Sequence, residues 1–109
     1  MTELTADLIL KAYAYGVFPM AKSRDDQKVF WVQPKLRGIL PLDGFHVSKS
    51  LRKVLRHQAF TVTTDMAFAE VLEGCAETTP ARPDTWINSE IVRLFTELHQ
   101  AGVAHSVEV

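Results

Sequence analysis

The chain has 109 residues, of which 47% are hydrophobic and 23% charged, and its formal net charge is −1. The hydrophobic and charged fractions are those of an ordinary globular protein and exclude a disordered chain. The net charge excludes a general attraction of the whole protein to nucleic acid, so any such binding must be local. The single cysteine excludes an internal disulfide and fits a reducing compartment.

The N-terminal part of the chain is predicted to form a helix followed by a small hairpin. Its first residues, MTELTADLILKAY, hold early acids and no long apolar run, which predicts a cytoplasmic protein without a signal peptide or membrane span. Thr5 is a suitable N-cap and Gly16 a suitable stop, so residues 5–15 are predicted to be helical. Two short apolar segments, residues 29–32 and 38–40, are each stopped by a proline and are predicted to pair.

The middle of the chain carries a basic helix. Residues 45–64 contain no Asp or Glu, although the chain has 13 acidic residues. Four bases recur there at i, i+3, i+4 and i+7, the spacing of one helix face, after a potential N-cap at Ser48: Lys49, Arg52, Lys53 and Arg56. Apolar residues fall on the opposite side, so one face is expected to be buried. The basic face is then either simply solvated or a surface for the phosphates of a nucleic acid.

The segment after the basic helix is predicted to form a strand and a second amphipathic helix. Residues 60–64 alternate and are rich in β-branched side chains, which favours a strand. Asp65 is placed to cap the helix that follows. The apolar stripe of that helix ends in Cys75, which is therefore expected to be a buried, small hydrophobic residue.

The last part of the chain is predicted to form a long helix and a final strand. The helix begins at Asn88 or Ser89 and ends before Gly102. Residues 103–109 alternate as a strand does. A sheet of two strands is marginally stable, and the second one reaches Val109 without a turn signal, so the chain is expected to be the front portion of a larger protein.

Catalytic and metal-binding patterns are weak in this sequence. His105, Ser106 and Glu108 superficially resemble parts of a catalytic triad. Neighbouring residues of a strand point to opposite faces, however, so His105 is not expected to orient Ser106 as its base. One cysteine and the absence of an HExxH pattern predict no metal site, and the absence of GxG predicts no dinucleotide site.

Five motifs, in order along the chain, carry a resemblance to a known family. They are AYAYGVFPM, WxxPxxRGILPL, FHVSKSLRK, VTTDMAFAEVLEGCA and finally TWI with LHQAGVAHSVEV. They cover nearly the whole chain from Leu8 to Val109 and resemble leucyl/phenylalanyl-tRNA protein transferase. That family transfers Leu or Phe from aminoacyl-tRNA to proteins that begin with Arg or Lys, which marks them for degradation. Its reaction requires no cofactor and no metal.

The resemblance also implies an α+β fold with two parts. Residues 1–58 would form a small N-terminal α/β domain with the basic helix. Residues 59–109 would begin an acetyltransferase-like (GNAT-like) α/β domain. Family members have roughly twice this length, so the resemblance implies no catalytic residue within this chain and places most of the amino-acid pocket elsewhere.

The resemblance assigns roles to two positions and to the basic helix. Tyr13 matches a tyrosine near the bound aminoacyl adenosine, and Met20 stands where many relatives have a tryptophan of the same site. Lys49, Arg52, Lys53 and Arg56 match a positively charged surface for the tRNA acceptor stem. The implied partners are Leu-tRNA or Phe-tRNA and proteins with N-terminal Arg or Lys, with no membrane. Two alternatives stay open, a non-catalytic tRNA-binding fragment and an acyl-CoA-dependent N-acetyltransferase.

Overall fold

The computed structural model describes residues 4–109, which form four helices and two antiparallel sheets of two strands each. The helices are α1 (Ala6–Ala14), α2 (Lys49–Arg56), α3 (Phe68–Cys75) and α4 (Ser89–Gln100). The strands are β1 (Phe18–Met20), β2 (Phe30–Val32), β3 (Thr63–Thr64) and β4 (Val107–Glu108). This mixture agrees with the predicted α+β class. Throughout residues 4–109, no helix combines the length and the apolar character that crossing a membrane requires.

Three helices begin at the caps that the sequence predicts. Side-chain oxygens of Thr5, Ser48 and Asn88 accept hydrogen bonds from the backbone amide three residues further on, at 3.1, 3.2 and 2.9 Å. Gly16 and Gly102 follow α1 and α4 with φ angles of 77° and 80°. These left-handed conformations suit glycine, which ends both helices as predicted.

Helix α4 lies at the centre of the hydrophobic core. It contributes three buried side chains with helical spacing, Ile91, Leu94 and Leu98. Leu94 and Leu98 pack with Ile9 of α1, and Ile91 packs with three residues from other segments, Ala21, Ala76 and Ile87. Phe95 touches both groups. The buried face of α4 therefore connects the N-terminal helix to the segment around α3.

The predicted hairpin between residues 29–32 and 38–40 is wrong. Strand β2 pairs instead with β1, so that Pro19 lies opposite Trp31. Proline has no backbone N–H and cannot donate a hydrogen bond to a neighbouring strand. In a sheet of two strands each strand has one unpaired edge, and a proline is tolerated there. Residues 38–40 belong to no strand.

Arg37 attaches the segment after β2 to the turn between α1 and β1. Its guanidinium donates a hydrogen bond to the carbonyl oxygen of Gly16 and lies 5.7 Å from the centre of the Phe18 ring. A cation over an aromatic face is attracted by the ring quadrupole. The segment from β2 to Arg37 is thereby tied to the turn between α1 and β1, and this contact takes the place of the predicted hairpin.

Three predictions for the C-terminal half need correction. Strands β3 and β4 have two residues each, so the strands predicted over residues 60–64 and 103–109 are too long. Helix α3 begins after Ala67 without any side-chain cap, because Asp65 has a φ of 58° and its carboxylate is bound elsewhere. Cys75 is exposed, and the neighbouring Ala76 occupies the buried position instead.

Candidate nucleic-acid interface

The four predicted bases lie together on one side of α2. With His57 they line a shallow depression of about 440 Å³: Lys49, Arg52, Lys53, Arg56 and His57. The helix that carries them starts at the predicted cap, and its turn of 3.6 residues brings positions i, i+3, i+4 and i+7 to one face. We call the four Lys and Arg side chains the basic face of α2.

Within residues 4–109, no acidic side chain forms an ion pair with the basic face. Among residues 4–109, ion pairs of Lys or Arg occur only at Arg93, which binds Glu90 and Glu97 at 2.7 and 3.1 Å. The first turn of α2 has no acidic residue either. Four cations of one sign therefore repel one another mildly and remain available to an anion with several charges.

The opposite side of α2 contradicts one prediction. Leu51, Val54 and Leu55 lie there, about 180° around the helix from the basic face. The sequence predicts that this side is buried, yet α2 has no buried residue, and Leu51 and Leu55 are 40% and 60% exposed. Over residues 4–109 no element covers this apolar side, so α2 presents two unlike surfaces to its surroundings.

Tyr13 borders an apolar cleft between α1 and α4. Its ring meets that of Phe95 edge to face, with the ring centres 6.1 Å apart. The cleft has a volume of about 340 Å³ and six lining residues: Leu10, Tyr13, Phe95, Leu98, Val103 and Ala104. Partial burial raises the pKa of the Tyr13 hydroxyl, which therefore stays protonated at neutral pH and can donate a hydrogen bond.

Met20 occupies a separate element. It is half-buried in β1, where it lies opposite Phe30 in the ladder. It is not among the residues that line the cleft beside Tyr13. The two positions that the resemblance assigns to the aminoacyl end thus lie on α1 and β1, and the basic face lies on α2.

Sequence reasoning missed a polar cluster between β3 and β4. The Asp65 carboxylate is 2.8 Å from His105 Nδ1 and accepts a hydrogen bond of 3.0 Å from the Ser106 amide. These contacts, chiefly the one with His105, lower the pKa of Asp65 below its ordinary value. Asp65 has a φ of 58°, a left-handed backbone conformation that few residue types besides glycine tolerate. The residue type Asp at this position was therefore the one sequence signal for the turn that forms the cluster.

Glu108 is the second carboxylate of this cluster. Its oxygens accept hydrogen bonds from the Thr63 hydroxyl at 2.8 Å, from the Met66 amide at 3.1 Å and from the Ser106 hydroxyl. The Ser106 hydroxyl is the main reason why the pKa of Glu108 is lowered. The Ser106 hydroxyl donates to Glu108, and His105 Nδ1 contacts Asp65, so neither contact joins His105 to the Ser106 hydroxyl.

Acid is expected to weaken the contact between β3 and β4. Glu108 has a lowered folded pKa, so its contribution is present above the ordinary value of about 4.3 and is lost as the pH falls through the lower folded value. NMR of the Met66 amide, bound to Glu108, should show a transition with its midpoint below that value. Glu108→Gln should abolish it and leave the transition of the Ser106 amide, bound to Asp65. A Met66 midpoint above 4.3 would contradict this assignment.

Comparison with known proteins identifies the family. The family model described as leucyl/phenylalanyl-tRNA protein transferase matches residues 39–109, and the model of its N-terminal domain matches residues 2–35. The leucyl/phenylalanyl-tRNA protein transferase of Paramagnetospirillum magneticum is 58% identical over 109 residues, which are 100% of this chain and 52% of that protein. The enzyme of the same name from Rhodospirillum rubrum is 56% identical over 108 residues, which are 99% of this chain and 51% of that protein.

A third relative gives the same result. The leucyl/phenylalanyl-tRNA protein transferase of a Ruegeria species is 58% identical over 106 residues, which are 97% of this chain and 49% of that protein. The chain thus spans about half the length of these curated relatives. The two family models together account for almost all of its residues. The chain belongs to the leucyl/phenylalanyl-tRNA protein transferase family.

Proposed function

We propose that the basic face of α2 binds the phosphates of an aminoacyl-tRNA. The observation that carries this proposal is the grouping of four bases on one helix face without an ion pair to any residue in the described range 4–109. The relatives are named for an enzyme that acts on tRNA, which supports the same ligand. With a net charge of −1, the chain as a whole offers no comparable attraction.

The chemistry of the basic face favours the tRNA backbone over the bases. Lys and Arg contacts to phosphate supply affinity without reading sequence. Proteins that hold unpaired bases use aromatic side chains as stacking platforms, and the depression on α2 is lined by no Phe, Tyr or Trp. We therefore propose a duplex segment such as the acceptor stem as the ligand of this face.

The full reaction proposed is aminolysis of the ester that joins Leu or Phe to the tRNA. The amine of an N-terminal Arg or Lys attacks the ester carbonyl, a new C–N bond forms and the C–O bond to the ribose breaks. One proton leaves the amine and the ribose oxygen gains one. The ester is already activated, so positioning of the two substrates supplies much of the rate, and neither a cofactor nor a metal is required. Because aminoacyl-tRNA is the donor, the proposal places the protein in the cytoplasm.

The residues of this chain have a binding role in the proposal. The basic face holds the tRNA, while Tyr13 and Met20 contact its aminoacyl end. The groups that move the proton and stabilise the oxyanion belong to the half of the relatives' length that this chain does not span. The pairing of Ser106 with Glu108 supports this division, because it leaves Ser106 without a histidine base.

The proposed domain division places the basic helix before the start of an acetyltransferase-like (GNAT-like) sheet. Residues 1–58 form the first part and residues 59–109 the second. The second part supplies β3, α3, α4 and β4, in the order of elements that the resemblance implies. The two parts share a core, since Ile9 packs against Leu94 and Leu98. We therefore propose two domains that are packed firmly together.

A tRNA titration tests the proposal directly. The double variant Lys53→Ala/Arg56→Ala should weaken the binding of all tRNAs to a similar extent, by roughly 10- to 100-fold. It lacks two solvent-exposed hydrogen bonds to phosphate, each worth about 1 kcal/mol, and these bonds carry no sequence information. The matched control is Lys22→Ala/Lys35→Ala, which removes two exposed bases elsewhere and should leave the affinity nearly unchanged. If the two double variants bound tRNA with equal affinity, the proposal that the basic face binds tRNA would be contradicted.

Met20→Trp tests the aminoacyl end. The variant is made in a chimera that joins this chain to the remaining half of the Paramagnetospirillum relative. Trp replaces an adaptable apolar side chain by a ring that can stack, so the affinity for Leu-tRNA should change several-fold. The affinity for uncharged tRNA should stay within a factor of about two. If uncharged tRNA responds as strongly, residue 20 does not line an aminoacyl site.

A further inference from the structure

The loop between β1 and β2 is attached to the C-terminal half of the chain at two places. This loop, residues 21–29, begins at Ala21, whose buried amide donates a hydrogen bond of 2.8 Å to the carbonyl oxygen of Trp86. Further along the loop, the carbonyl oxygen of Asp26 accepts a hydrogen bond of 2.9 Å from Asn88 Nδ2. Trp86 and Asn88 lie in the segment that leads into α4. The start of α4 therefore sets the position of the β1–β2 loop.

Asn88 makes two hydrogen bonds that serve different purposes. Its side-chain oxygen accepts from the Ile91 amide at 2.9 Å and caps α4, whereas its Nδ2 atom donates to the loop. Asn, Asp and Ser cap helices about equally well, because a cap needs only an acceptor oxygen. Asn88 is 1% exposed, and its buried N–H groups need a partner, which the carbonyl oxygen of Asp26 supplies. The bond to the loop therefore gives Asn88 a role that capping does not explain.

Met20 lies directly before this loop. It is the last residue of β1, where it lies opposite Phe30 of β2. The two strands have three residues each, and an isolated sheet of two strands is marginally stable in water, so the ladder alone does not fix Met20. The next residue, Ala21, is held by the carbonyl oxygen of Trp86, and the loop beyond it is held by Asn88. These two contacts fix the chain on the C-terminal side of Met20.

We propose that Asn88 is a positioning residue for the aminoacyl end of the tRNA. By holding the β1–β2 loop, it keeps the Met20 side chain in the place from which that side chain contacts the aminoacyl end. The inference rests on the contact of Met20 given under the proposed function, and Asn88 acts through Met20 without touching substrate. Small displacements matter at such contacts, since a misplacement of about 1 Å can cost about 10²-fold in rate. The basic face lies on another element, α2, so the effect should be confined to the aminoacyl end.

Asn88→Ser tests the positioning role, because it removes the donor to the loop and keeps an oxygen that caps α4. In the chimera with the second half of the Paramagnetospirillum relative, the affinity for Leu-tRNA should fall roughly 3- to 10-fold, the equivalent of one hydrogen bond. The loss stays limited because the bonds of Ala21 and Arg24 still hold the loop. The affinity for uncharged tRNA should stay within about twofold.

Asn88→Asp gives a graded second variant. It also keeps the cap, but it turns a carboxylate oxygen toward the carbonyl oxygen of Asp26, and the two oxygens repel each other. The affinity for Leu-tRNA should therefore fall further than in Asn88→Ser, again with little change for uncharged tRNA. A smaller loss in Asn88→Asp than in Asn88→Ser would contradict the role of the bond to Asp26.

Ile91→Val is the matched control for a general loss of stability. Ile91 is buried in the same cluster as Ala21, and removal of one buried methyl group costs about as much stability as one hydrogen bond. The substitution removes no hydrogen bond to the loop, so the affinity for Leu-tRNA should stay within about twofold. A loss as large as that of Asn88→Ser would show that loosened packing alone is responsible, and it would overturn the proposal.

Hydrogen exchange in the 109-residue chain measures the loop without any tRNA. In Asn88→Ser the Ala21 amide should exchange its hydrogen several-fold faster than in the unchanged chain, because the loop that it begins is released at Asp26. The Ile91 amide, which still has a capping oxygen, should exchange at its original rate. Unchanged exchange at Ala21 would show that Asn88 does not hold the loop and would overturn the proposal.

The outcomes separate this inference from the function on which it rests. If Met20→Trp changes the affinity for Leu-tRNA selectively and Asn88→Ser does not, the positioning role is wrong and the proposed function stands. If neither variant distinguishes Leu-tRNA from uncharged tRNA, Met20 does not line an aminoacyl site and both proposals fall. If Asn88→Ser lowers both affinities equally, Asn88 acts on the protein as a whole, which also contradicts the positioning role.

Discussion

The 109-residue chain is expected to bind tRNA without transferring leucine from it to a peptide. Under the proposed division of roles, this chain holds the RNA, and the proton-transfer and oxyanion groups lie in the half of the relatives that it does not span. One missing oxyanion donor already costs 10²–10³-fold in rate, so transfer should be at least about 10³-fold slower than in a full-length relative. Label from Leu-tRNA into an Arg-initiated peptide is the measurement.

The control for this experiment is the chimera with the second half of the Paramagnetospirillum relative, which should transfer leucine under the same conditions. Transfer by the 109-residue chain at rates near those of the chimera would contradict the division of roles. The candidates for the base would then be the polar groups near the C-terminal sheet, His99, His105 and Glu108. The hydrogen bond between His105 and Asp65 would become the first interaction to test.

Leu94→Ala is expected to have the largest effect on stability. Leu94 is 0% exposed and packs against Ile9 and Leu98, so its removal leaves a cavity between α4 and α1. Such substitutions cost about 2–5 kcal/mol, whereas the free energy of unfolding of a domain is about 5–15 kcal/mol. The midpoint of thermal unfolding should fall by roughly 10–25 °C.

Val92→Ala is the matched control on the same helix. Val92 is 38% exposed, and surface substitutions usually change stability by no more than about 0.5 kcal/mol. Thermal unfolding followed by circular dichroism at 222 nm should therefore separate the two variants clearly. Equal shifts for Leu94→Ala and Val92→Ala would contradict the position of α4 at the centre of the core.

The helices were predictable from the sequence because their signals are local. A capping oxygen, an apolar stripe with helical spacing and a following glycine all lie within one segment, and α1 and α4 carry all three. The four bases of α2 are equally local, so their common face follows from spacing alone. Asn88 illustrates the point, because its side chain accepts the amide hydrogen bond expected at the start of α4.

The sheets were predicted less well because strand partners are chosen over long distances. Residues 38–40 have the composition of a strand, yet β2 pairs with β1 and Arg37 is bound at the turn after α1. Asp is a residue type favoured at helix N-caps, and Asp65 precedes α3. Its carboxylate instead binds His105 and Ser106, which lie about 40 residues later. Neither choice is visible in a window of one element.

The candidate site divides in the same way. The basic face could be predicted in full, since all four residues lie within about two turns of one helix. The cleft beside Tyr13 could not, because Phe95 and Val103 reach it only through the packing of α4 on α1. The exposure of the apolar side of α2 could not be predicted either. Amphipathic spacing indicates that a helix face can be buried, but it does not indicate which other segment covers that face.

The salt dependence of tRNA affinity is the most direct test of the basic face. Binding of a base to a phosphate releases counterions, so the logarithm of affinity falls linearly with the logarithm of salt concentration, with a slope close to the number of phosphates neutralised. Removing the two bases in Lys53→Ala/Arg56→Ala should make that slope shallower by about one for each base, or about two in total. An unchanged slope in this variant would contradict the account and leave the basic face of α2 as a merely solvated surface.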